Sequence, residues 1–347
     1  MNIESSLEHF IDPYTQIQWN RQCAHWKTST QTLTVGYPTQ AHLPQLKQAL
    51  NTHLRPHLDS SSITINTHIK RHQTQALVKP ITEINNIIGV ASNKGGVGKS
   101  TLAAHIAIAL MQAGAKTGIL DWDVHGPNIP QLLGTQQTQA TIKHDGYQPV
   151  SVYGLATMSM GYLVDESSSL MWRGPMASRY AEQMLIHTQW PKLDYLIVDL
   201  PPGTGDIHLT LCEKIPISGI ICVSTPQTLS IDDLNRSLTL YSKMNSPVLG
   251  IVKNMAYLNC AICQQPNQIV KGHQLEQLAK TKQIPIIGSL PINQELSSIA
   301  GQGKNILIEK PNHPLSQILK QMSVTATALL AKRPHHKRGN FPPIVPV

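Results

Sequence analysis

Short apolar runs recur between about residues 85 and 310 and alternate with longer amphipathic stretches. Apolar runs of about four to eight residues are typical of buried strands, and the stretches between them have helical spacing. The predicted strands are Ile87–Ala91, Thr117–Leu120, Asp194–Asp199, Gly219–Val223, Val248–Val252 and Pro285–Gly288. Strands that alternate with helices predict an α/β fold with a doubly wound, mainly parallel sheet.

The residues before this pattern predict a separate, small α/β domain. Thr32–Val35 alternates polar and apolar side chains like a strand, leucines recur at helical spacing from Leu43 to Leu54, and Ile63–Ile65 predicts another strand. The mostly polar stretch from Lys70 to Thr82 is typical of a linker. The predicted organisation is a small domain over residues 1–80, a main domain over 85–330 and a basic, proline-rich, disordered tail over 332–347.

Composition narrows the class of partner. The formal net charge is +8, but the basic residues are scattered except for Lys332, Arg333, Lys337 and Arg338, so we expect no nucleic-acid partner. Apolar runs do not reach the length of about eighteen residues that a membrane helix needs, and no signal peptide begins the chain. We therefore expect no membrane partner and a cytoplasmic location. The 5 cysteines do not form a disulfide framework, which predicts reduced thiols.

A glycine-rich loop follows the first strand of the main domain and precedes a predicted helix, Leu102–Leu110. Strand, glycine loop and helix are the context in which backbone N–H groups and a helix N-terminus bind phosphate. Lys99 is placed to reach the β- and γ-phosphates of ATP, and the Ser100 hydroxyl to bind Mg²⁺. The predicted nucleotide site comprises Asn93, Lys94, Gly95, Gly96, Val97, Gly98, Lys99, Ser100 and Thr101.

Two residues of this loop are unusual. Asn93 stands where the common phosphate-loop pattern has glycine, and asparagine tolerates a left-handed backbone better than other non-glycine residues. Lys94 is an additional lysine at the start of the loop. The pattern Lys-Gly-Gly-x-Gly-Lys-Ser resembles the deviant Walker A loop of the MinD/ParA/nitrogenase-iron-protein class, which implies a catalytic role for Lys94 at the γ-phosphate of a facing subunit.

Carboxylates follow two further strands. Asp121 and Asp123 come after the second predicted strand of the main domain, where open parallel sheets place their ligand chemistry. We predict that Asp123 positions the attacking water and that Asp121 lies nearer the metal. Asp199 ends an apolar strand, as expected of a carboxylate that holds Mg²⁺ through water. Pro201–Asp206 suits a switch loop that senses the γ-phosphate.

Two later sites complete the candidate chemistry. Asn254 follows the Val248–Val252 strand, and its amide is placed to contact the adenine edge. Cys260 and Cys263 form a C-x-x-C pair, which suits zinc, an iron–sulfur cluster or a dithiol. One pair supplies two of four ligands, and a symmetric dimer would supply the other two. The spacing does not choose between zinc and iron–sulfur. Cys23 and Cys222 we expect to be structural.

Taken together, these segments resemble the Mrp/ApbC family of P-loop iron–sulfur carrier proteins. The matching segments, in family order, are Asn93–Thr101, Asp121–Pro127, Trp172–Met176, Asp199–Asp206, Ser224–Gln227, Lys253–Met255 and the cysteine pair. The resemblance implies a homodimer that binds a [4Fe–4S] cluster between subunits, transfers it to apo iron–sulfur proteins, works with cluster scaffold proteins and hydrolyses ATP slowly. Asn93, Lys253 and Lys271–His273 depart from the family pattern.

Two other functions compete with the carrier interpretation. A MinD- or ParA-type positioning ATPase would bind and hydrolyse ATP without a cluster. A MinD-type protein should end in an amphipathic membrane helix, which the prolines of Phe341–Pro346 exclude. A reductase like the nitrogenase iron protein needs two well-separated cysteines per subunit, a role that Cys212 and Cys222 do not obviously fill.

Overall fold

The computed structural model describes residues 3–57, 63–74, 80–123, 126–143, 146–163, 174–203, 215–260, 262–263 and 265–335. The helices of these ranges are α1 Ile3–Leu7, α2 Leu43–Leu54, α3 Lys99–Gln112, α4 Ile129–Leu132, α5 Gly174–His187, α6 Thr228–Lys243, α7 Gln274–Lys282, α8 Gln294–Gly301, α9 Ile306–Glu309 and α10 Pro314–Ala331. The strands are β1 Ala24–Lys27, β2 Thr32–Val35, β3 Thr64–Thr67, β4 Ile84–Ala91, β5 Thr117–Asp121, β6 Ile142–Lys143, β7 Gly146–Tyr147, β8 Val150–Val152, β9 Leu155–Ser159, β10 Leu193–Asp199, β11 Ile217–Ser224, β12 Val248–Asn259, β13 Pro266–Gln268 and β14 Ile286–Pro291.

The main sheet has nine strands within the described residues, in the order β13-β12-β11-β4-β10-β5-β9-β8, and β14 also pairs with β12. Neighbouring strands are parallel except for β13 beside β12 and β8 beside β9. Parallel strands direct their carboxyl ends to one edge, so β4, β5, β10 and β12 bring their following residues together there.

Helices cover both faces of this sheet. One face packs against α3, α4, α9 and α10 in an apolar cluster that includes Ile88, Ile106 and Leu319. The other face packs against α5, α6 and α7, and its cluster includes Leu196, Leu238 and Leu275. Burial on both faces explains why the strands are almost continuously apolar rather than alternating.

A second, three-stranded sheet is formed by β1, β2 and β3. Strand β2 pairs antiparallel with β1 and parallel with β3, and α2 contributes the buried side chains of Leu46, Leu50 and Leu54. The apolar cluster of this region also contains Val324 and Ala328 of α10. The small sheet therefore shares its core with α10, the last of the described helices.

A glycine ends helix α3 as predicted, and strand β12 is much longer than predicted. Gly114, at φ +97°, follows α3 as expected of a helix C-terminus. Strand β12 extends to Asn259 instead of ending at Val252, so the prediction was seven residues too short. Its last three residues, Tyr257–Asn259, pair with β13 across a hairpin that the pattern of apolar residues does not reveal.

The described residues of the proposed linker and tail form hydrogen bonds with other parts of the chain. The Arg71 guanidinium donates to the carbonyl oxygens of Ile81 and Ile84 at 2.7 and 2.8 Å. The carbonyl oxygen of Pro334 accepts from the backbone N–H of Gln73 at 3.1 Å. Outside the described residues lie positions 124–125 of the Asp121–Pro127 turn, 172–173, 204–206 of the proposed switch, Cys212 and 336–347.

Among the described helices, none combines the length and apolar character that a membrane crossing requires.

Candidate nucleotide and cysteine site

The glycine loop connects β4 to α3 at the carboxyl edge of the sheet. Gly96 and Gly98 adopt the left-handed backbone that favours glycine, at φ +78° and +84°. A Cβ on Gly95 or Gly96 would meet no atom within 4 Å, so the loop surrounds open space. The adjoining open cleft has a volume of about 320 Å³ and is lined by loop residues together with Asp123 and Pro202. This cradle of N–H groups at a helix N-terminus fits a phosphate chain.

Asn93 holds the loop to helix α6. Its side-chain amide donates to the carbonyl oxygen of Asp233 and accepts from the Ser237 hydroxyl. In the described loop, Asn93 does not have a positive φ, so our reason for its tolerance, a left-handed backbone, was wrong. Asparagine is accommodated because α6 satisfies its side-chain donor and acceptor.

Lys94 is paired within its own chain. Its Nζ lies 3.2 Å from Asp233 Oδ2, and its side chain is 40% exposed. Arg236 contacts the other oxygen of Asp233 at 3.4 Å. Lys94 therefore lies beside α6, where Asp233 pairs with it.

Lys99 and Asp199 form a buried ion pair at the centre of the site. Lys99 Nζ donates to Asp199 Oδ1 and lies 3.4 Å from the Ser100 hydroxyl. Burial raises the pKa of Asp199, and the Lys99 ammonium opposes that shift. Asp199 Oδ2 is buried without a hydrogen-bond partner, which leaves an acceptor available. An unpaired carboxylate oxygen near a serine hydroxyl fits a magnesium ion with water in its coordination shell.

Asp121 stabilises the turn that presents Asp123. Its two oxygens accept hydrogen bonds from the backbone N–H groups of Asp123 and Ile129, at 3.2 and 3.0 Å, and from the Ser159 hydroxyl at 3.1 Å. Burial, and then the charge of Asp199, raise the pKa of Asp121 to about 8. These contacts give Asp121 a structural role in the turn, and Asp123 lines the cleft. The predicted position of Asp121 near a metal stays a prediction.

Asn254 contacts the glycine loop. Its Nδ2 donates to the carbonyl oxygen of Val97 at 2.8 Å and lies 2.5 Å from where a Cβ on Gly98 would be. The predicted adenine contact of Asn254 stays a prediction, since the described amide nitrogen is already used by the loop.

The cysteine pair lies in the hairpin between β12 and β13. The backbone N–H of Cys260 donates to the Gln265 carbonyl oxygen at 3.0 Å. Cys260 is partly exposed and Cys263 is exposed, and Ile262 between them is 95% exposed. Hydrogen bonds from the backbone of Cys263 and then of Ile262 lower the pKa of the Cys260 thiol, which favours the thiolate that binds metal.

Among the residues that the structure describes, no further metal ligand lies beside the cysteine pair. Across the described ranges, no three His, Cys, Asp or Glu side chains form a group that could hold a metal ion. Cys23 and Cys222 are buried in the core, which confirms their structural prediction, and burial raises the pKa of Cys23 to about 11.

Sequence reasoning missed Asp233, Ser237 and Met255. The first two reach the loop from α6, 140 and 144 positions along the chain from Asn93, and a long-range contact of this kind has no local sequence signal. Met255 has φ +53°, which nothing in its own side chain predicts.

Comparison with known proteins identifies the family. A family model described as ParA, NUBPL iron-transfer P-loop NTPase, matches residues 83–327. The chain belongs to this family. The prediction of a doubly wound P-loop NTPase fold is thereby confirmed, and so is the resemblance to iron–sulfur carrier proteins.

Relatives of this family member carry matching names. The "Iron-sulfur cluster carrier protein" of Pseudomonas fragi is 40% identical over 256 residues, covering 73% of this chain and 89% of that protein. The protein of the same name from Escherichia coli K12 is 41% identical over 251 residues, covering 72% and 68%. The "Iron-sulfur cluster transfer protein NUBPL" of Dictyostelium discoideum is 37% identical over 276 residues, covering 79% and 85%.

Solved structures agree on the fold. The nucleotide-binding protein of Archaeoglobus fulgidus, in complex with ADP, has a TM-score of 0.58 and 33% identity, covering 67% of this chain and 91% of that chain. MinD of Aquifex aeolicus has a TM-score of 0.51 at 21% identity, covering 69% and 94%, and this likeness concerns the fold alone.

Proposed function

We propose that this P-loop NTPase binds ATP, hydrolyses it slowly and carries a [4Fe–4S] cluster that it transfers to apo iron–sulfur proteins. The observation that carries the proposal is the exposed Cys260–Cys263 hairpin at the end of a strand that contacts the phosphate loop. The names of the relatives support the same cargo. Cluster scaffold proteins are the expected donors, and free thiols suit the cytoplasm.

In the nucleotide part of the proposal, the phosphates of ATP replace the carboxylates that pair with Lys99 and Lys94. The β- and γ-phosphates of ATP would take Lys99 from Asp199, which frees both Asp199 oxygens. Mg²⁺ would be held by Ser100 and, through water, by Asp199, and it supplies positive charge to the phosphates. Asp123, at the cleft, would orient the attacking water and accept its proton. Lys94 would leave Asp233 and contact the γ-phosphate on a partner chain.

The cargo half requires two chains. The Cys260–Cys263 hairpin offers two thiols, and a [4Fe–4S] cluster takes about four thiolates. A two-fold axis beside the hairpin would bring two pairs together. The exposed side chain of Ile262 and the exposed edge of β13 leave this hairpin accessible to a second chain and then to an acceptor.

Anaerobic metal analysis tests the proposal. After reconstitution, the purified protein should contain about four irons and four sulfides per dimer. The Cys260→Ser/Cys263→Ser variant should lose both, and the Asn259→Ser/Gln268→Ser variant, which changes exposed positions of the same hairpin, should keep them. Stoichiometric zinc in place of iron, or iron that survives the cysteine variant, would overturn the assignment.

A further inference from the structure

Strand β12 physically joins the two halves of the site. Its first part, Val248–Lys253, pairs in parallel with β11 inside the main sheet. Its last part, Tyr257–Asn259, pairs antiparallel with β13 in the hairpin that carries the cysteines. Its register with β14 shifts between Lys253 and Tyr257. Over residues 254–256 the strand therefore exchanges β11 for β13, while β14 pairs with it on both sides of this junction.

Asn254, the first residue of this junction, is attached to the phosphate loop. Its 2.8 Å hydrogen bond to the Val97 carbonyl oxygen is buried. Gly98 has no room for a Cβ beside that amide. Phosphate binding uses the N–H groups of this loop, and the Asn254 hydrogen bond connects the Val97 peptide of the loop to β12.

Met255, the next residue, has an unfavourable backbone. A methionine at φ +53° occupies the left-handed region that non-glycine residues avoid, and such a conformation persists only where surrounding contacts impose it. Those contacts are present on both sides. Lys253 Nζ is 2.7 Å from Glu276 Oε1, and the Tyr257 carbonyl oxygen accepts from the Ile292 N–H at 2.8 Å.

We infer that Asn254 and Met255 form a joint through which nucleotide in the phosphate loop repositions the cysteine hairpin. Asn254 is the positioning residue, and the strained Met255 backbone is the element with two arrangements. This role rests on the proposed function for its biological purpose. It differs from a switch at Pro201–Asp206 because the loop is linked to the hairpin by the Asn254–Val97 hydrogen bond and by β12 itself.

Thiol alkylation of the cluster-free protein tests the joint. Iodoacetamide modification of Cys260 and Cys263 is followed by mass spectrometry with and without saturating Mg·ADP. The protein is kept at a concentration where sedimentation shows single chains, so that dimer burial does not contribute. In the wild type, ADP should change the alkylation rate by at least about fivefold, the lower end of ordinary coupling between sites. Buried Cys23 and Cys222 serve as unreactive internal standards.

Two substitutions at Met255 separate the backbone from the side chain. Met255→Gly removes the strain and should reduce the ADP effect to nearly none. Met255→Leu keeps a side chain that the left-handed region disfavours, and therefore keeps the strain, so it should retain most of the effect. The matched control is Asn245→Gly, which makes the same backbone change at φ +53° at the end of α6 and should respond like the wild type.

Each outcome decides the inference. An ADP effect in the wild type that Met255→Gly abolishes supports it. A wild type that does not respond while ADP is bound, or a Met255→Gly variant that responds fully, overturns it. Iron analysis of unmodified protein from the same preparations, after reconstitution, is independent, so loss of cluster binding with an intact ADP effect would reject the carrier proposal and keep the joint.

Discussion

At the scale of single residues, both lysines of the phosphate loop pair with carboxylates of the same chain. Lys99 is bound to Asp199, and Lys94 to Asp233. Both lysines thus have a carboxylate where a phosphate would be. Separating Lys99 from Asp199 costs more free energy than separating Lys94 from Asp233, because the first pair is buried whereas Lys94 is partly exposed.

Release of Lys94 is open to a direct test. Asp233→Asn removes the carboxylate that holds Lys94 and should raise the ATPase rate about twofold to fivefold, which corresponds to one exposed ion pair. Hydrolysis is measured over a range of protein concentrations, because the proposed action of Lys94 requires two chains. Asp232→Asn makes the same charge change at an exposed neighbouring position and should have no effect. A slower Asp233→Asn enzyme would show that this carboxylate assists Lys94.

His105 makes stability depend on pH. It is buried in α3 with Nε2 unpaired, and burial lowers its pKa from 6.5 to about 4. Between pH 6.5 and pH 4, the unfolded chain therefore binds more protons than the folded chain. As far as it depends on His105, the free energy of unfolding is highest above pH 6.5 and decreases as the pH falls. From pH 6.5 to 5 the loss should be about 2 kcal/mol.

Urea unfolding at both pH values checks this expectation. His105→Leu should reduce the difference in unfolding free energy by that amount, while His9→Leu, at an exposed position, should leave it unchanged. An unaltered pH dependence in His105→Leu would contradict the shifted pKa.

At the scale of elements, the phosphate loop is shaped by the strand beside it. Gly98→Ala forces a Cβ onto a left-handed backbone and against the Asn254 amide, so it should destabilise the protein by about 1–2 kcal/mol or more. Gly95→Ala, with no atom within 4 Å of the added Cβ, should stay within about 0.5 kcal/mol. Thermal unfolding of the nucleotide-free proteins compares the two, and equal melting temperatures would refute the crowding at Gly98.

At the scale of the whole molecule, α10 ties the small sheet to the large one. Leu33 of β2 packs in the cluster that contains Val324 and Ala328, and Leu319 of the same helix packs on the main sheet. We therefore predict one cooperative unfolding transition. Leu33→Ala and Ile119→Ala, both fully buried, should each cost about 2–5 kcal/mol and shift that single transition in calorimetry. Two separate transitions would mean that residues 1–80 unfold independently.

Local sequence patterns determined the sheet, the phosphate loop and the cysteine pair. A strand that is buried on both faces needs a continuous apolar run such as Ile87–Ala91, and a phosphate loop needs glycines for their backbone freedom. Both patterns can be recognised within about ten residues of sequence. The same reasoning placed Asp123 at the cleft and Cys23 in the core. The division into domains and the catalytic roles stay predictions.

Tertiary structure alone decided what those residues contact. Asn93 is held by α6, Asp121 supports a turn, and β12 continues past Val252 into the hairpin that presents Cys260. Each depends on partners distant in the chain, and on carboxylates and amides that satisfy hydrogen bonds wherever the fold brings them. Sequence therefore specifies which groups are available, and packing specifies which of them meet.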